Sequence, residues 1–160
     1  TEMVLLLAQH PSEWERLRAD PSRAAAIVDE TLRIATPVQG MFRITTRDVD
    51  LAGMHIPKGS RIVLVYSSAN RDETLYADPD DFSPDRAHLA DHLAFGKGTH
   101  FCLGANLARL EARVALEEMV RRISSIRLAD SNDFAYHPSF LLRGLVQLTA
   151  TAIPNESRAT

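Results

Sequence analysis

The sequence has a single cysteine among its 160 residues and few aromatic side chains, at 6% of the chain. One cysteine excludes an internal disulfide, which is typical of a protein in a reducing compartment. No apolar run approaches the roughly 20 residues of a membrane span. The longest apolar run, at residues 3–8, lacks the basic start of a signal peptide. The sequence therefore predicts a cytoplasmic protein that does not enter a membrane.

An excess of charge of one sign is also missing. The chain has 18 Lys and Arg against 21 Asp and Glu, a net charge of -3. No general attraction to nucleic acid or to an anionic membrane is therefore expected. Neither an internal repeat nor a low-complexity tract is present, and the 45% of hydrophobic residues is ordinary for one globular domain.

Three of the seven glycines lie with the one cysteine in residues 95–104, Phe-Gly-Lys-Gly-Thr-His-Phe-Cys-Leu-Gly, and a helical pattern follows at once. Glycine lets backbone N–H groups approach a sulfur closely, because it has no Cβ. A cysteine at the start of a helix also lies at the positive end of the helix dipole, which favours the thiolate over the thiol. The stretch predicts a stabilised thiolate at Cys102. The alternative is a buried structural cysteine.

This pattern, Phe-Gly-x-Gly-x-His-x-Cys-x-Gly, resembles the haem-binding signature of the cytochrome P450 family. The defining positions are filled by Phe95, Gly96, Gly98, His100, Cys102 and Gly104. The resemblance implies that Cys102 is the proximal thiolate ligand of haem b (iron protoporphyrin IX), where a thiolate pushes electron density onto the iron.

Two further residues are expected at the haem propionates by the same resemblance. Arg43 lies where the family has a propionate-binding arginine, a planar and permanently charged donor to carboxylate. The alternative for Arg43 is an exposed arginine on a strand. His100 is expected near the other propionate. A second possible role for His100 is that of a catalytic base beside Cys102, as in cysteine hydrolases; the tight loop and the lack of a nearby Asn or Asp partner disfavour that role.

A second motif, Glu30-Thr31-Leu32-Arg33, resembles the Glu-x-x-Arg signature of the family, and Phe82-Ser83-Pro84-Asp85-Arg86 resembles its later Phe-x-Pro-x-Arg pattern. Taken alone, Glu30 and Arg33 are an i,i+3 pair of the kind common on solvated helices. The resemblance implies a buried Glu30 between Arg33 and Arg86. Because an unpaired buried charge is costly, these three are expected to give structural support to the cysteine loop rather than to catalyse.

The fold class predicted is mainly α with small β-sheets (α+β), which the resemblance identifies as the C-terminal part of a single cytochrome P450 domain. Ser12 and Ser22 are predicted helix N-caps. The expected segments are helices in 1–35, a small β-sheet region in 36–68, a meander in 69–94, the haem-ligand loop in 95–104, a long helix in 105–123, C-terminal strands in 124–153 and a loose tail in 154–160.

Two of these segments carry a packing prediction. Residues 61–66 are apolar on both faces, which predicts a central strand. The long helix has a wide apolar stripe and a second stripe of Leu103, Leu107, Leu110 and Val114, which predicts packing on both sides.

The function implied by the resemblance is that of a soluble bacterial haem-thiolate monooxygenase. Such an enzyme inserts one oxygen atom from O2 into a small organic substrate, using electrons from a ferredoxin or flavodoxin-type donor. That donor is expected to dock at a basic patch of Lys97, Arg109 and Arg113, for which an ordinary solvated face is the alternative. The candidates for contact with substrate, for which an ordinary loop or core position is the alternative, are Val38, Gln39, Met41, Phe140 and Leu141.

A full family member is more than twice as long as this chain. The acid–alcohol pair that delivers protons to bound O2, and most of the substrate pocket, are therefore expected upstream of Thr1, where residues 1–9 resemble the last turns of a longer helix. The isolated chain is expected to be inactive. The alternative function is a haem-binding fragment or module without turnover.

Overall fold

The order of helices and strands follows the predicted segments closely. A computed structural model describes residues 1–155. Its elements are α1 (Glu2–Gln9), α2 (Pro11–Ala19), α3 (Ala24–Ala35), β1 (Gly40–Ile44), β2 (Val49–Leu51), β3 (Met54–Ile56), β4 (Arg61–Val65), α4 (Tyr66–Ala69), α5 (Ala105–Arg122), β5 (Ile123–Leu128) and β6 (Ala150–Pro154). The predicted α+β class is confirmed. In the described part of the chain, no helix has both the length and the apolar character needed to cross a membrane.

The helix starts differ from the two predicted caps. Helix α2 begins at Pro11, with His10 as its N-cap, because proline at the first helical position has its φ already fixed and needs no N–H partner. Asp20 rather than Ser22 accepts the capping hydrogen bond, from the Ser22 N–H at 3.1 Å, and opens a short 3-10 turn. Helix α3 then begins at Ala24. Ser12 and Ser22 are therefore not caps.

The strands form three antiparallel pairs, β1 with β4, β2 with β3 and β5 with β6. The prediction that residues 61–66 form a central strand is wrong. Within residues 1–155, β4 pairs with β1 alone, and Leu64 and Val65 stay 41% and 49% exposed. A run of apolar side chains does not by itself distinguish a strand between two neighbours from one strand of an exposed pair. Pro154, predicted to begin a loose tail, instead pairs with Ile123 at the end of β6, and the rest of that tail, 156–160, lies outside the described residues.

The core lies where α1, α2, α3 and α5 meet. Its fully or nearly buried side chains are Leu7, Trp14, Leu17, Ala24, Ile27, Phe82, Leu116 and Val120. The indole Nε1 of Trp14 donates to the carbonyl of Ser124 at 2.8 Å and so joins α2 to β5. One side of helix α3 thus packs against this core, and an adjacent side faces the functional site.

The long helix packs on one side within the described chain, so the prediction of two packed sides is wrong there. Ala105, Leu116 and Val120 are buried. The second stripe is exposed: Leu103 is 103% exposed, Leu107 59%, Leu110 47% and Val114 45%. The two stripes of one helix therefore have very different surroundings. Sequence periodicity shows that both are apolar but cannot show which one the chain itself covers.

Candidate functional site

The loop around Cys102 is folded by glycines and by backbone hydrogen bonds, one of which spans the loop. Gly96 and Gly98 have φ of 70° and 78°, in the left-handed region that glycine favours. The N–H of Cys102 donates to the carbonyl of Phe95 at 3.0 Å, which closes the loop. The Cys102 side chain is exposed. Within residues 1–155, Cys102 is therefore not a buried core residue.

Space is open beside the Cys102 sulfur at the start of α5. Gly104 is the N-cap of that helix, and its φ of -86° is one that any residue adopts. A Cβ added at Gly104 would lie 3.9 Å from the sulfur, with no other described atom that close. The chain's own packing therefore does not require glycine there, and the absence of a side chain leaves room for a ligand at the sulfur.

An open, largely apolar cavity of about 320 Å³ lies in front of Cys102. It is lined by Leu32, Pro37, Val38, Met41, Arg43, Tyr66, Ala94, Phe95, Gly96, His100 and Cys102. The structure thus brings Arg43, His100 and Cys102 to one cavity, although Arg43 is far from the other two in the sequence. Leu32, Tyr66 and Ala94 were not foreseen as lining residues. The only sequence signal for any of them was the position of Leu32 inside the Glu-x-x-Arg motif.

Three of the five substrate-contact candidates do not line this cavity. The side chain of Gln39 turns back and donates from Nε2 to the carbonyl of Thr36 at 2.5 Å, at the end of α3. Phe140 is 76% exposed and stacks on Phe42, with 6.5 Å between ring centroids. Leu141 contributes its carbonyl to the N–H of Gln39 at 2.7 Å. The contacts of these three residues, through a side-chain amide, a ring and a backbone carbonyl, were not indicated by the sequence pattern.

A buried charge cluster lies behind the site, centred on Glu30. Glu30 and Arg33 have fully buried side chains and form a bidentate pair, with Arg33 Nε donating to Oε2 at 2.7 Å and Nη2 donating to Oε1 at 2.9 Å. Arg86 Nε and the N–H of Ser83 also donate to Oε1, each at 2.9 Å. The structure therefore brings together Glu30, Arg33 and Arg86, with two arginines on one carboxylate.

The remaining donors of both arginines go to backbone carbonyls of the meander. Arg33 Nη1 donates to Asn70 O at 2.8 Å and to Pro79 O at 2.7 Å. Arg86 donates to Ala77 O at 2.6 Å and to Asp81 O at 2.7 Å. A buried ion pair is stable only when its other donors and lone pairs are satisfied, and here they are. The cluster fixes residues 77–86 against α3.

Asn70 is a structural residue that the sequence reasoning did not single out. Thr36, at the end of α3, has φ of 39°, a left-handed conformation that is unusual for a β-branched residue. Its Oγ1 donates to Arg33 O at 2.6 Å and accepts from Asn70 Nδ2 at 2.8 Å. The Oδ1 of Asn70 accepts the N–H of Leu93 at 2.6 Å. Asn70, fully buried, thus joins the end of α3 to the segment that leads into the cysteine loop.

A second polar cluster joins α3 to the cysteine loop and α5. Arg109 Nε lies 2.6 Å, and His92 Nε2 lies 3.2 Å, from the same Asp29 oxygen, Oδ1. Burial alone would raise the pKa of Asp29, but the hydrogen bonds from His92 and Arg109 outweigh it and hold that pKa below its ordinary value. The expected basic patch is weaker than the sequence indicated, because Arg109 pairs with Asp29 and Arg113 Nε lies 3.5 Å from Glu117.

Cys102 and His100 are the side chains lining this cavity that could ligate a metal. Within residues 1–155, no three or more His, Cys, Asp or Glu side chains are grouped so that they could hold a bare ion. A single thiolate in an apolar cavity suits a metal whose other ligands belong to a flat organic macrocycle. The exposed apolar side chains around the loop, Phe101 at 48% and Leu103 at 103%, fit the same kind of occupant.

Comparison with known proteins identifies the family. Residues 3–143 match the family described as Cytochrome P450. A biotin biosynthesis cytochrome P450 of Bacillus subtilis (strain 168) is 39% identical over 148 residues, which cover 92% of this chain and 37% of that protein. A steroid C26-monooxygenase of Mycolicibacterium smegmatis (strain ATCC 700084 / mc(2)155) is 38% identical, with 93% and 37% covered.

The fold is shared as well. The solved structure of cytochrome P450 CYP109Q5 from Chondromyces apiculatus superposes with a TM-score of 0.87 at 39% identity, covering 96% of this chain and 40% of that one. The chain belongs to the cytochrome P450 family. It spans 37% of the length of the two curated relatives.

Proposed function

We propose that this chain supplies the proximal side of the haem site in a haem-thiolate monooxygenase, with Cys102 as the axial ligand of haem b. The observation that carries the proposal is the meeting of Cys102, Arg43 and His100 at one apolar cavity, in a chain that belongs to the cytochrome P450 family. When bound, the haem supplies the chemistry by which one atom of O2 enters a substrate and the other is reduced to water.

The residues of the cavity have distinct roles in this proposal. Cys102, which lines the cavity, provides the sulfur ligand. Arg43 and His100 bind the two propionate groups, as donors to carboxylate. The ring of Phe95 and the bare backbone at Gly96, Gly98 and Gly104 let the flat cofactor approach the sulfur closely. Glu30, Arg33 and Arg86 support the loop from behind without touching the cofactor.

The distal side, including the groups that move protons to bound O2, is proposed to come from a longer polypeptide of which this chain is the C-terminal part of one domain. The support is that the chain covers 37% of a relative to which it is 39% identical. The exposed stripe of α5 supports the same proposal, because burying its apolar surface would stabilise the assembly.

The substrate is proposed only as a small organic molecule, reached through Val38 and Met41, which line the cavity. The printed names of relatives with nearly equal identity refer to biotin biosynthesis and to steroid oxidation, so likeness does not select between such substrates. A ferredoxin or flavodoxin-type protein is proposed as the electron donor. It would meet Lys97 and Arg113, since Arg109 already pairs with Asp29.

A second candidate function is a haem-binding module without turnover. The observation that favours it is the partial span of the relatives, because a chain that binds haem on one side alone leaves the other side of the cofactor to solvent. Turnover distinguishes the two candidates. We expect the 160-residue chain by itself to show none.

The test is a haem titration followed by reduction and addition of CO. A strongly red-shifted Soret band that disappears in Cys102→Ala but remains in His100→Ala supports thiolate ligation by Cys102. The His100→Ala variant is the control for altered binding without loss of the ligand. Failure to take up haem, or an unchanged band in Cys102→Ala, would contradict the proposal. Oxidation of substrate with NAD(P)H and a redox partner by a longer polypeptide, but not by this chain, then supports the first candidate.

A further inference from the structure

We propose that Asp29 is a positioning residue for the cysteine loop, which it holds at both ends through His92 and Arg109. Cys102 lies between those two residues in the sequence. The effect on a haem ligand rests on the function proposed above, whereas the effect on the loop itself does not.

The geometry makes one carboxylate oxygen the meeting point of three segments. Asp29 Oδ1, on α3, lies 2.6 Å from Arg109 Nε on α5 and 3.2 Å from His92 Nε2 just before the loop. The segment from His92 to Arg109 is thereby closed into a ring on α3. A carboxylate that accepts from a guanidinium forms one of the stronger hydrogen bonds in proteins.

His92 is held in one orientation by a second hydrogen bond. The N–H of Ala94 donates to Nδ1 at 3.2 Å, and Nε2 lies 3.2 Å from Asp29 Oδ1 and 3.3 Å from Arg109 Nη2. The His92 side chain is fully buried. Asp29 therefore also acts, through His92, on the backbone at Ala94, which lines the cavity.

Arg109 carries the contact onward to the cysteine. Its guanidinium lies over the ring of Phe95, with 4.7 Å from Cζ to the ring centroid. The carbonyl of Phe95 accepts the N–H of Cys102 at 3.0 Å. Asp29 orients Arg109, Arg109 restrains Phe95, and Phe95 restrains the backbone of Cys102. Cation–π contact and hydrogen bonding thus act in series on the ligand position.

This role differs from that of the neighbouring Glu30. Adjacent residues on an α-helix point about 100° apart, and the two carboxylates accordingly bind different segments. Glu30 accepts from Arg33, Arg86 and the N–H of Ser83, all of which fix the meander. Asp29 accepts from the two residues that flank the cysteine loop. Two consecutive acids on α3 therefore support two different parts of the site.

The test is amide hydrogen exchange of the intact protein and of Asp29→Asn, measured without haem. We expect protection of residues 93–104 to fall roughly tenfold to a hundredfold, the effect of weakening hydrogen bonds to a charged group. Protection of residues 77–86 should stay nearly unchanged. The matched control is Asp91→Asn, beside His92 in sequence but exposed and paired only with the exposed His88 at 3.2 Å. It should alter neither segment.

Two results would overturn the proposal. One is that Asp29→Asn leaves protection of residues 93–104 unchanged, as Asp91→Asn should. The other is an equal loss of protection in residues 93–104 and 77–86, which would give Asp29 a general structural role. If Asp29→Asn does not fold, Arg109→Lys replaces it, because lysine keeps the cation but loses the planar group over Phe95. A loss of protection confined to residues 93–104 in Arg109→Lys also supports the proposal. Unchanged protection in that variant overturns it.

The haem-loaded protein gives a spectroscopic readout. We expect a larger share of the reduced CO complex of Asp29→Asn to lack the red-shifted thiolate band, compared with Asp91→Asn. Equal shares in the two variants would overturn the proposed effect on the ligand. If the unsubstituted protein takes up no haem, the proposed function fails, and the exchange experiment on the loop can still be interpreted.

Discussion

The two sides of the cysteine loop differ in how completely the chain covers them. On the meander side, Glu30 and Arg33 are fully buried and their polar groups bind one another, Arg86 and backbone carbonyls. On the other side, Cys102 faces an open apolar cavity, and its sequence neighbours Phe101 and Leu103 are 48% and 103% exposed. One side has its charges paired, and the other presents unburied apolar surface.

This difference distinguishes the residues that support the site from the apolar surface that a bound group would cover. The support needs only residues of this chain, because Glu30, Arg33 and Arg86 have their partners here. The cavity side and the exposed stripe of α5 gain stability only when something apolar covers them. Substitutions on the meander side should therefore affect folding of the chain, whereas substitutions on the cavity side should affect what it binds.

The largest effect is expected for Glu30→Gln. The substitution leaves Arg33 and Arg86 buried without a counter-charge, which costs about 3–5 kcal/mol of the free energy of unfolding. Glu118→Gln is the matched control, because Glu118 also pairs with two arginines, Arg121 and Arg122, but is 47% exposed. Its loss should be much smaller, because an exposed ion pair is screened by solvent. Denaturant unfolding measures both, and similar losses would contradict the assignment of a special role to the buried cluster.

The next largest effect is expected when a leucine in the buried stripe of α5 is replaced, in comparison with a leucine in the exposed stripe. Leu116→Ala removes a fully buried side chain and should cost about 2–5 kcal/mol. Leu107→Ala, at a side chain 59% exposed, should change the stability of the 160-residue chain by about 0.5 kcal/mol or less. Both are measured by thermal and denaturant unfolding. A large loss for Leu107→Ala in this chain would show that the second stripe is already covered.

A smaller effect is expected for Asn70→Ala. The variant loses the hydrogen bonds to Thr36 Oγ1 and from the N–H of Leu93, and leaves buried polar groups unpaired at a cost of about 1–3 kcal/mol. Asn132 also makes several side-chain hydrogen bonds, to Ala129 O and to Thr149, at a less buried position. Asn132→Ala should therefore cost clearly less. Equal unfolding free energies for the two variants would refute the linking role of Asn70.

The smallest effect is the pH dependence that Asp29 contributes. Its pKa in the folded chain is lower than the ordinary value of 3.8, because His92 and Arg109 donate to it. The carboxylate therefore stabilises the fold at all pH values above 3.8, and this contribution is lost as the pH falls through the lowered folded pKa. The stability difference between the protein and Asp29→Asn should shrink over that acidic range. A difference that does not depend on pH would contradict the prediction.

The sequence located the cysteine loop, the Glu-x-x-Arg helix and the order of the segments, because these depend on local patterns. Glycine spacing, helical periodicity and turn residues act over a few positions, where the chain has few alternatives. The wrong predictions concern features that depend on which other elements a strand or helix packs against. Strand β4 was predicted to be central but pairs with β1 alone in the described residues. Helix α5 was predicted to pack on both sides but leaves one apolar stripe exposed.

The sequence pattern also did not predict the roles of residues that contact distant segments of the chain. Gln39 is polar and next to candidate pocket residues, but its side chain binds the end of α3. Asn70 and His92 each connect segments that are far apart in sequence. No local feature distinguishes such an asparagine or histidine from one in a solvated turn.

The sequence by itself determined the thiolate loop, the helix that begins after it and the chemical types present on α3, because short-range sterics and periodicity fix these. The tertiary structure decided which of two consecutive acids holds the meander and which holds the cysteine loop, and which stripe of α5 is buried. Those outcomes depend on which side of each helix the rest of the chain packs against. Burial and charge pairing are properties of that packing and not of local sequence.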